Sequence, residues 1–257
     1  MSGSLQTIIR DLKLRRGRER RGLTLAEGVR LVEEALAAGV PVRGAVLSPA
    51  LEASTRGHAL AAALRATGAR VEELTDRELG ALADTEQPQG VIAVVQPRRW
   101  TLADIDTAGR AAVLVLDAVQ DPGNVGTMIR TALGLGARGV VALKGTAEIA
   151  NPKVLRATMG ALFRLPVVSV APEEFLAWAA ERALPIWVAA ADGSRITRRS
   201  RPEEAVALAV GNEGAGVGPV LLAAAAARVA IPLAAPAESL NVAVAAGILL
   251  HEVLRDR

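Results

Sequence analysis

Apolar residues along the chain follow two alternating rhythms. Leu5, Ile8, Ile9 and Leu12 recur at helical spacing, so residues 5–14 read as an amphipathic helix. Leu23 to Ala26 is a short strand, and EGVRLVEEALAA (27–38) returns to the helical period until Gly39 stops it. Strands follow at 42–47, 71–74 and 91–95, interleaved with helices at 58–66 and 76–83. This pattern predicts a small α/β domain over residues 1–97.

A Pro- and Arg-containing stretch, 98–110, reads as a linker. Beyond it, AAVLVLD (111–117) is apolar up to its closing Asp, as a parallel strand buried on both faces would be. A loop, DAVQDPGNVG, leads to a helix, TMIRTALGLG. Strands at 140–143, 167–170, 186–190, 206–210 and 229–231 then alternate with helical stretches at 151–163, 173–182, 221–227 and 242–254. Repeated β–α units predict a doubly wound parallel sheet over 111–257. Ligands of such sheets bind beyond the carboxyl ends of the strands.

Composition narrows the chemistry. The chain has no Cys, so disulfides, thiolate catalysis and Cys-based zinc sites are excluded. Its two His show no metal-ligand spacing, and no metal is expected. The longest run without a charged residue is 14 residues, Gly214–Ala227, too short for a membrane span. The N-terminal stretch lacks the apolar core of a secretory leader, so the expected compartment is the cytoplasm.

Net charge is +3, yet seven basic residues against two acids fall between Arg10 and Arg21, including Arg15, Arg16, Arg18, Arg20 and Arg21. Arg195, Arg198, Arg199 and Arg201 form a second cluster. Guanidinium forks suit phosphate oxygens, although such runs also occur on solvated helix faces. With three Trp, two Phe and no Tyr, a base-stacking platform is disfavoured.

Three loops following strands concentrate Gly, Pro and Asn: DPGNVGTMIRTA (121–132), GNEGAGVG (211–218) and IPLAAPAESLNVAVAAG (231–247). The chain has four Asn, and three of them, Asn124, Asn212 and Asn241, fall one to a loop. Turn chemistry explains part of this; a small-molecule pocket shared by the three loops explains the rest. GLGARG (134–139) matches a dinucleotide fingerprint in letters but follows a helix and precedes a strand, so it reads as a helix cap and turn. That disfavours a nucleotide-dependent dehydrogenase. GNEGAGVG lacks the GK[ST] of a P-loop, and no GxSxG or loop His supports a serine hydrolase.

The three loops resemble motifs 1, 2 and 3 of the SpoU/TrmH family of RNA ribose 2′-O-methyltransferases, in the SPOUT superfamily. The matching stretches are NVGTMIRTA (124–132), VGNEG (210–214), and IPL (231–233) with ESLNVAVAAG (238–247). NPKVLRATMGALFRLPV (151–167) is also similar to the family. LTLAEGVRLVEEAL (23–36) and ADTEQPQGVIAVV (83–95) resemble the ribosomal-protein-like substrate-binding domain that often precedes the catalytic one. Motif 3 departs from the usual pattern, with Leu and Ala after Pro232 where relatives often carry Met and Gly.

The resemblance implies an α/β catalytic domain with a trefoil knot, an S-adenosylmethionine cofactor, an RNA partner (rRNA ahead of tRNA) and a homodimer with its active site near the interface. It places Gly211, Asn212, Ile231, Leu240 and Asn241 around the cofactor, and Arg130, Asn124, Glu213, Ser239 and Asn241 in catalysis. Guanidinium stays protonated, so Arg130 suits gripping phosphate and stabilising an alkoxide better than accepting a proton. Asn124 would orient Arg130 or the ribose, and Glu213, Ser239 and Asn241 would fix that constellation or help relay the proton; a salt bridge to Arg130 is the purely structural role open to Glu213. Ser239 would also cap the last helix. Arg15, Arg16, Arg18, Arg20, Arg21, Lys153, Arg156, Arg198 and Arg199 would contact RNA. The other-class alternative is a non-catalytic RNA-binding protein that keeps the fold.

Overall fold

In a computed structural model, described over residues 4–197 and 202–255, the chain divides into two units. One holds the chain through Arg98 together with Ala150–Phe163; the other holds Arg99–Ile149 and the chain from Arg164 onward.

The first unit contains α1 (Leu5–Lys13), α2 (Arg15–Arg21), β1 (Thr24–Glu27), α3 (Val29–Ala37), β2 (Val42–Leu47), α4 (Pro49–Glu52), α5 (Thr55–Ala66), β3 (Arg70–Glu73), α6 (Asp76–Leu82) and β4 (Val91–Val95). Its sheet runs β1-β4-β2-β3; β2 and β3 are parallel and the other pairs antiparallel. The Ser4 hydroxyl accepts from Thr7 N and starts α1, whose Leu5, Ile8, Ile9 and Leu12 are buried with Leu79 and Leu82 of α6 on one sheet face. α3 and α5 pack on the strands as well.

The Arg-rich run is structured differently from the sequence expectation. Residues 15–21 form a second helix, and Arg18 is buried, at 4% exposure. Its Nη1 donates to the carbonyls of Leu12 and Lys13, both at 2.8 Å, and so caps the C-terminal end of α1. Arg18 is therefore removed from the RNA-contact set, because a guanidinium inside the fold cannot reach a phosphate. Arg20 and Arg21 both pair with Asp11, at 2.7 and 2.6 Å, and Arg15 pairs with Glu19 at 2.7 Å. Arg16 is exposed with no hydrogen-bond or ion-pair partner among the described residues. Arg198 and Arg199 lie outside the described residues.

The segment 150–163 belongs to the first unit, although it follows strands of the second. It carries α8 (Pro152–Thr158) and a 3₁₀ turn at Ala161–Phe163. Buried Glu27 explains the attachment. Its carboxylate accepts from Asp84 N, Thr85 N and Thr85 Oγ1, at 3.0, 3.1 and 2.5 Å, and from Arg156 Nη1 of α8 at 3.3 Å. Thr24 Oγ1 adds a bond to the Ala150 carbonyl at 2.6 Å. Arg156 is thus committed to Glu27, while Lys153 on the same helix is exposed.

The second unit contains β5 (Ala112–Leu116), α7 (Pro122–Gly134), β6 (Gly139–Leu143), β7 (Val167–Val170), α9 (Pro172–Glu181), β8 (Ile186–Arg195), β9 (Val206–Val210), α10 (Pro219–Ala223), β10 (Ala227–Ala230) and α11 (Val242–Leu254). Its six strands, ordered β10-β8-β9-β5-β6-β7, are all parallel. Val113, Val115, Val188, Ala207 and Ala209 face Phe175 and Trp178 of α9 and Leu221 of α10. α11 packs on β5, β9 and α7. The expected linker is part of this unit: Leu102 and Ile105 are buried in its core, and Thr101 and Asp104 close a capping box between them. No helix among the described residues is long and apolar enough to cross a membrane.

Arg18→Ala strips the last turn of α1 of its buried donors. Urea unfolding is expected to show a loss of about 2 kcal/mol. The slope of RNA affinity against salt should stay that of the parent, whereas a shallower slope would return Arg18 to the RNA footprint.

Candidate active site

All six parallel strands point their carboxyl ends to one rim, so the loops after β5, β9 and β10 meet there. After β5, Ala118 enters the left-handed region at φ 55°. Asp121 then caps α7 by accepting from Asn124 N at 2.8 Å, with Pro122 at the first helical position. The loop after β9 is a tight bend, in which Asn212 and Gly216 exchange both backbone hydrogen bonds at 2.9 Å. A Cβ on Gly211 would lie 2.0 Å from the Gly216 carbonyl carbon, so only glycine permits this bend. Asn212 Nδ2 reaches the Ala118 carbonyl at 3.0 Å and ties the two loops together.

A directional chain of side chains joins all three loops. Asn241, not Ser239, caps α11: its Oδ1 accepts from Ala243 N at 2.9 Å and Val244 N at 3.3 Å. Its Nδ2 must then donate, and does so to Asn124 Oδ1 at 3.0 Å. Asn124 Nδ2 in turn donates to Glu213 Oε1 at 3.0 Å. The chain ends on a carboxylate, which only accepts, so every amide orientation is determined. Glu213 also accepts from Gln120 N and Asp121 N, both at 3.4 Å. Partial burial, the largest single influence, pushes the Glu213 carboxyl up, but the bonds from Asn124 and the amides of Glu213, Gln120 and Asp121 together bring it below the usual value.

Beside this chain lies a pocket of about 810 Å³ lined by Gly211, Asn212, Glu213, Ile231, Ser239, Leu240 and Asn241, with Ala189, Ala190 and Ala191 of β8 opposite. That volume lies in the range of small-molecule sites. The five residues expected around the cofactor all line it. Asn124 reaches it through Asn241, and Glu213 and Ser239 are on its wall. Arg130 stands apart: it is exposed on α7, is not on the pocket wall, and forms no ion pair with Glu213. Glu213 spends its acceptors on Asn124 and the backbone instead. The sequence reading missed the wall from β8, although three Ala followed by Asp-Gly after an apolar strand was a usable signal.

The family model for the SpoU rRNA methylase family matches residues 111–251. The chain belongs to the SpoU rRNA methylase family. A second model, for an MRM3-like substrate-binding domain, matches residues 7–93 of this SpoU-family chain. The chain is 37% identical to the 23S rRNA (guanosine(2553)-2′-O)-methyltransferase RlmP of Bacillus subtilis, over 95% of this chain and 93% of that protein. It is 32% identical to the 23S rRNA (uridine(2479)-2′-O)-methyltransferase of Streptomyces viridochromogenes, over 95% of this chain and 86% of that protein. Among solved structures, the SpoU methyltransferase AviRb of Streptomyces viridochromogenes, in complex with the cofactor AdoMet, superposes with a TM-score of 0.88 at 30% identity, covering 98% of this chain and 97% of that one.

Because its pKa is lowered on folding, Glu213 contributes stability above its ordinary pKa of 4.5, and that contribution is lost as pH falls through the lowered value. Asn124→Asp places a second carboxylate against it, raises the pKa of the pair and reverses the slope: the variant gains stability as pH falls through the raised value. Urea unfolding between about pH 3 and 7 reads the two signs. Curves of the same slope would remove the Asn124–Glu213 contact.

Proposed function

We propose that this protein methylates a ribose 2′-hydroxyl of ribosomal RNA with S-adenosylmethionine as the donor, and that the pocket at the sheet rim is the donor's site. The observation that carries this reading is the pocket itself, bounded by loops 2 and 3 and held to loop 1 by the Asn241–Asn124–Glu213 chain. Its wall suits the donor's chemistry. Small side chains at Ala189–Ala191 and the absence of side chains at Gly211 and Gly216 leave a slot for a flat ring, and among the described residues the charged groups lining it are Arg195, Glu213 and Glu238. When bound, the donor supplies a methyl group on a cationic sulfur.

The chain's own residues supply positioning and charge. Backbone groups of Gly211, Ile231 and Leu240 hold the adenine end, and Asn212 braces loop 2. Asn124 and Asn241 hold fixed amide orientations and orient the ribose, while Ser239 stands at the rim to meet the RNA. Arg130, with no partner of its own among the described residues, grips the neighbouring phosphate and offsets the charge developing on the attacking oxygen. Glu213 is held ionised with its oxygens occupied, so its part is to lock Asn124 rather than to take a proton. Arg16 and Lys153 are the members of the proposed RNA-contact set in the first unit that are exposed and have no partner among the described residues. The relatives are named for different 23S nucleotides, guanosine 2553 and uridine 2479, and choice of target is assigned here to the RNA-contacting surface. The proposed setting is the cytoplasm, where the ribosomal RNA of the bacterial relatives resides.

The enzyme works as a homodimer. Val244 and Ile248, one turn apart on α11, are 52% and 38% exposed and form an apolar stripe with Leu240, which lies just before the helix at 39% exposure. A second copy covers this stripe and stands near Arg130, since α7 packs against α11. The path from edge strand β10 back to α11 in the middle of the sheet is read as the trefoil knot.

Arg130→Ala should bind S-adenosylmethionine within about twofold of the parent by calorimetry, while methyl transfer to rRNA falls on the order of a hundredfold or more. Undiminished transfer would remove Arg130 from the reaction, and transfer only to tRNA would move the substrate. Val244→Glu with Ile248→Glu should give a monomer by light scattering; a variant still dimeric would place the interface elsewhere.

A further inference from the structure

Strand β8 carries a feature that the SpoU motifs do not include. It pairs with β10 at Val188 opposite Arg228, and again at Ser194 opposite Val229. Adjacent residues of β10 thus face residues six apart in β8, and 189–193 bulge out between the two pairings. The bulge is pinned at its far side. Asp192 accepts from Arg228 Nη1 at 2.5 Å. Gly193 lies so near β10 that a Cβ there would sit 2.6 Å from the Val229 carbonyl carbon. The near side, Ala189–Ala191, forms pocket wall, and the strand delivers Arg195 to the pocket edge.

Arg195 is exposed and has no hydrogen bond or ion pair among the described residues. Its sequence neighbours group it with Arg198, Arg199 and Arg201 as RNA contacts, but the bulge sets it on the wall of the donor pocket instead. Among the described residues, the ionic side chains on that wall are one cation, Arg195, and two anions, Glu213 and Glu238. The methionine arm of S-adenosylmethionine carries the inverse set: one carboxylate, one ammonium and one sulfonium. We propose that Arg195 binds the carboxylate of the donor's methionine arm. A guanidinium fork matches a carboxylate through two parallel N–H···O bonds, and Ala189–Ala191 leave the space for the arm to reach it. The inference rests on the pocket being the donor's site.

Calorimetry on the full-length protein tests it with two ligands, S-adenosylmethionine and its decarboxylated analogue, which lacks only the carboxylate. Arg195→Ala is expected to weaken S-adenosylmethionine about tenfold and to leave the analogue unchanged. Arg195→Lys, which keeps the charge but loses the fork, should fall between. Circular dichroism checks folding, which an exposed side chain should not disturb. Equal weakening of both ligands, or of neither, would overturn the proposal. So would a loss confined to RNA affinity, which would return Arg195 to the RNA footprint. Failure of the pocket reading looks different: the parent binds neither ligand, or Ala190→Trp, which fills the slot, leaves binding of both intact.

Discussion

Asn241 can serve the bare amides at the start of α11 in one way only, with its carbonyl oxygen. That single choice propagates. The Asn241 amide nitrogen must donate, Asn124 must accept on its oxygen and donate from its nitrogen, and a pure acceptor must stand at the end. Glu213 is that acceptor. Three loops far apart in sequence are therefore held in one arrangement by groups with no freedom to flip. The last helix cannot shift without breaking the bond between loops 3 and 1. The pocket owes its walls to the same chain, since Asn241 and Glu213 both line it.

The cations divide in a related way. Within α1 and α2 the two acids pair with Arg15, Arg20 and Arg21, and buried Arg18 serves the α1 carbonyls. Pairing uses up local charge that a sequence count treats as free for phosphate. It does not abolish the field such a surface projects, because exposed pairs exchange readily with solvent and ligand. Arg16, Lys153 and Arg130 have no partners among the described residues, so an RNA phosphate meeting them would displace nothing.

Much of this was legible in the sequence where the signal was local. Strands 42–47, 91–95, 167–170 and 206–210 and helix 242–254 have the ends the apolar pattern gives them, since charged or turn-forming residues bound each run. Helix α7 starts five residues earlier than read, because Gly123 and Asn124 look like a turn yet sit behind the Asp121 cap and Pro122. Helix α2 was missed, since an Arg run has no apolar period to detect. The transfer of 150–163 to the first unit was out of reach for the same kind of reason. It depends on Glu27, more than a hundred residues away, meeting Arg156. In the site, the loops are visible as motifs, whereas the bulge in β8 depends on its register with β10.

The arrangement also bears on how the hydroxyl is activated. Neither His is at the rim: His58 lies in α5 and His251 in the last turn of α11. Glu213 holds four hydrogen-bond and backbone partners at a lowered pKa, which makes it a weak proton acceptor near neutral pH. A site without a strong base can still lower the barrier if the attacking oxygen is aligned and its growing negative charge is met by a fixed cation. In the proposed reaction the fixed amide chain would provide the alignment. Arg130, exposed and without a partner among the described residues, would provide the cation. The proton of the attacking hydroxyl would pass to water as the sulfonium is released as a neutral thioether, so the proposed reaction depends first on geometry, and the parts of this site that admit a single conformation are the ones that set it.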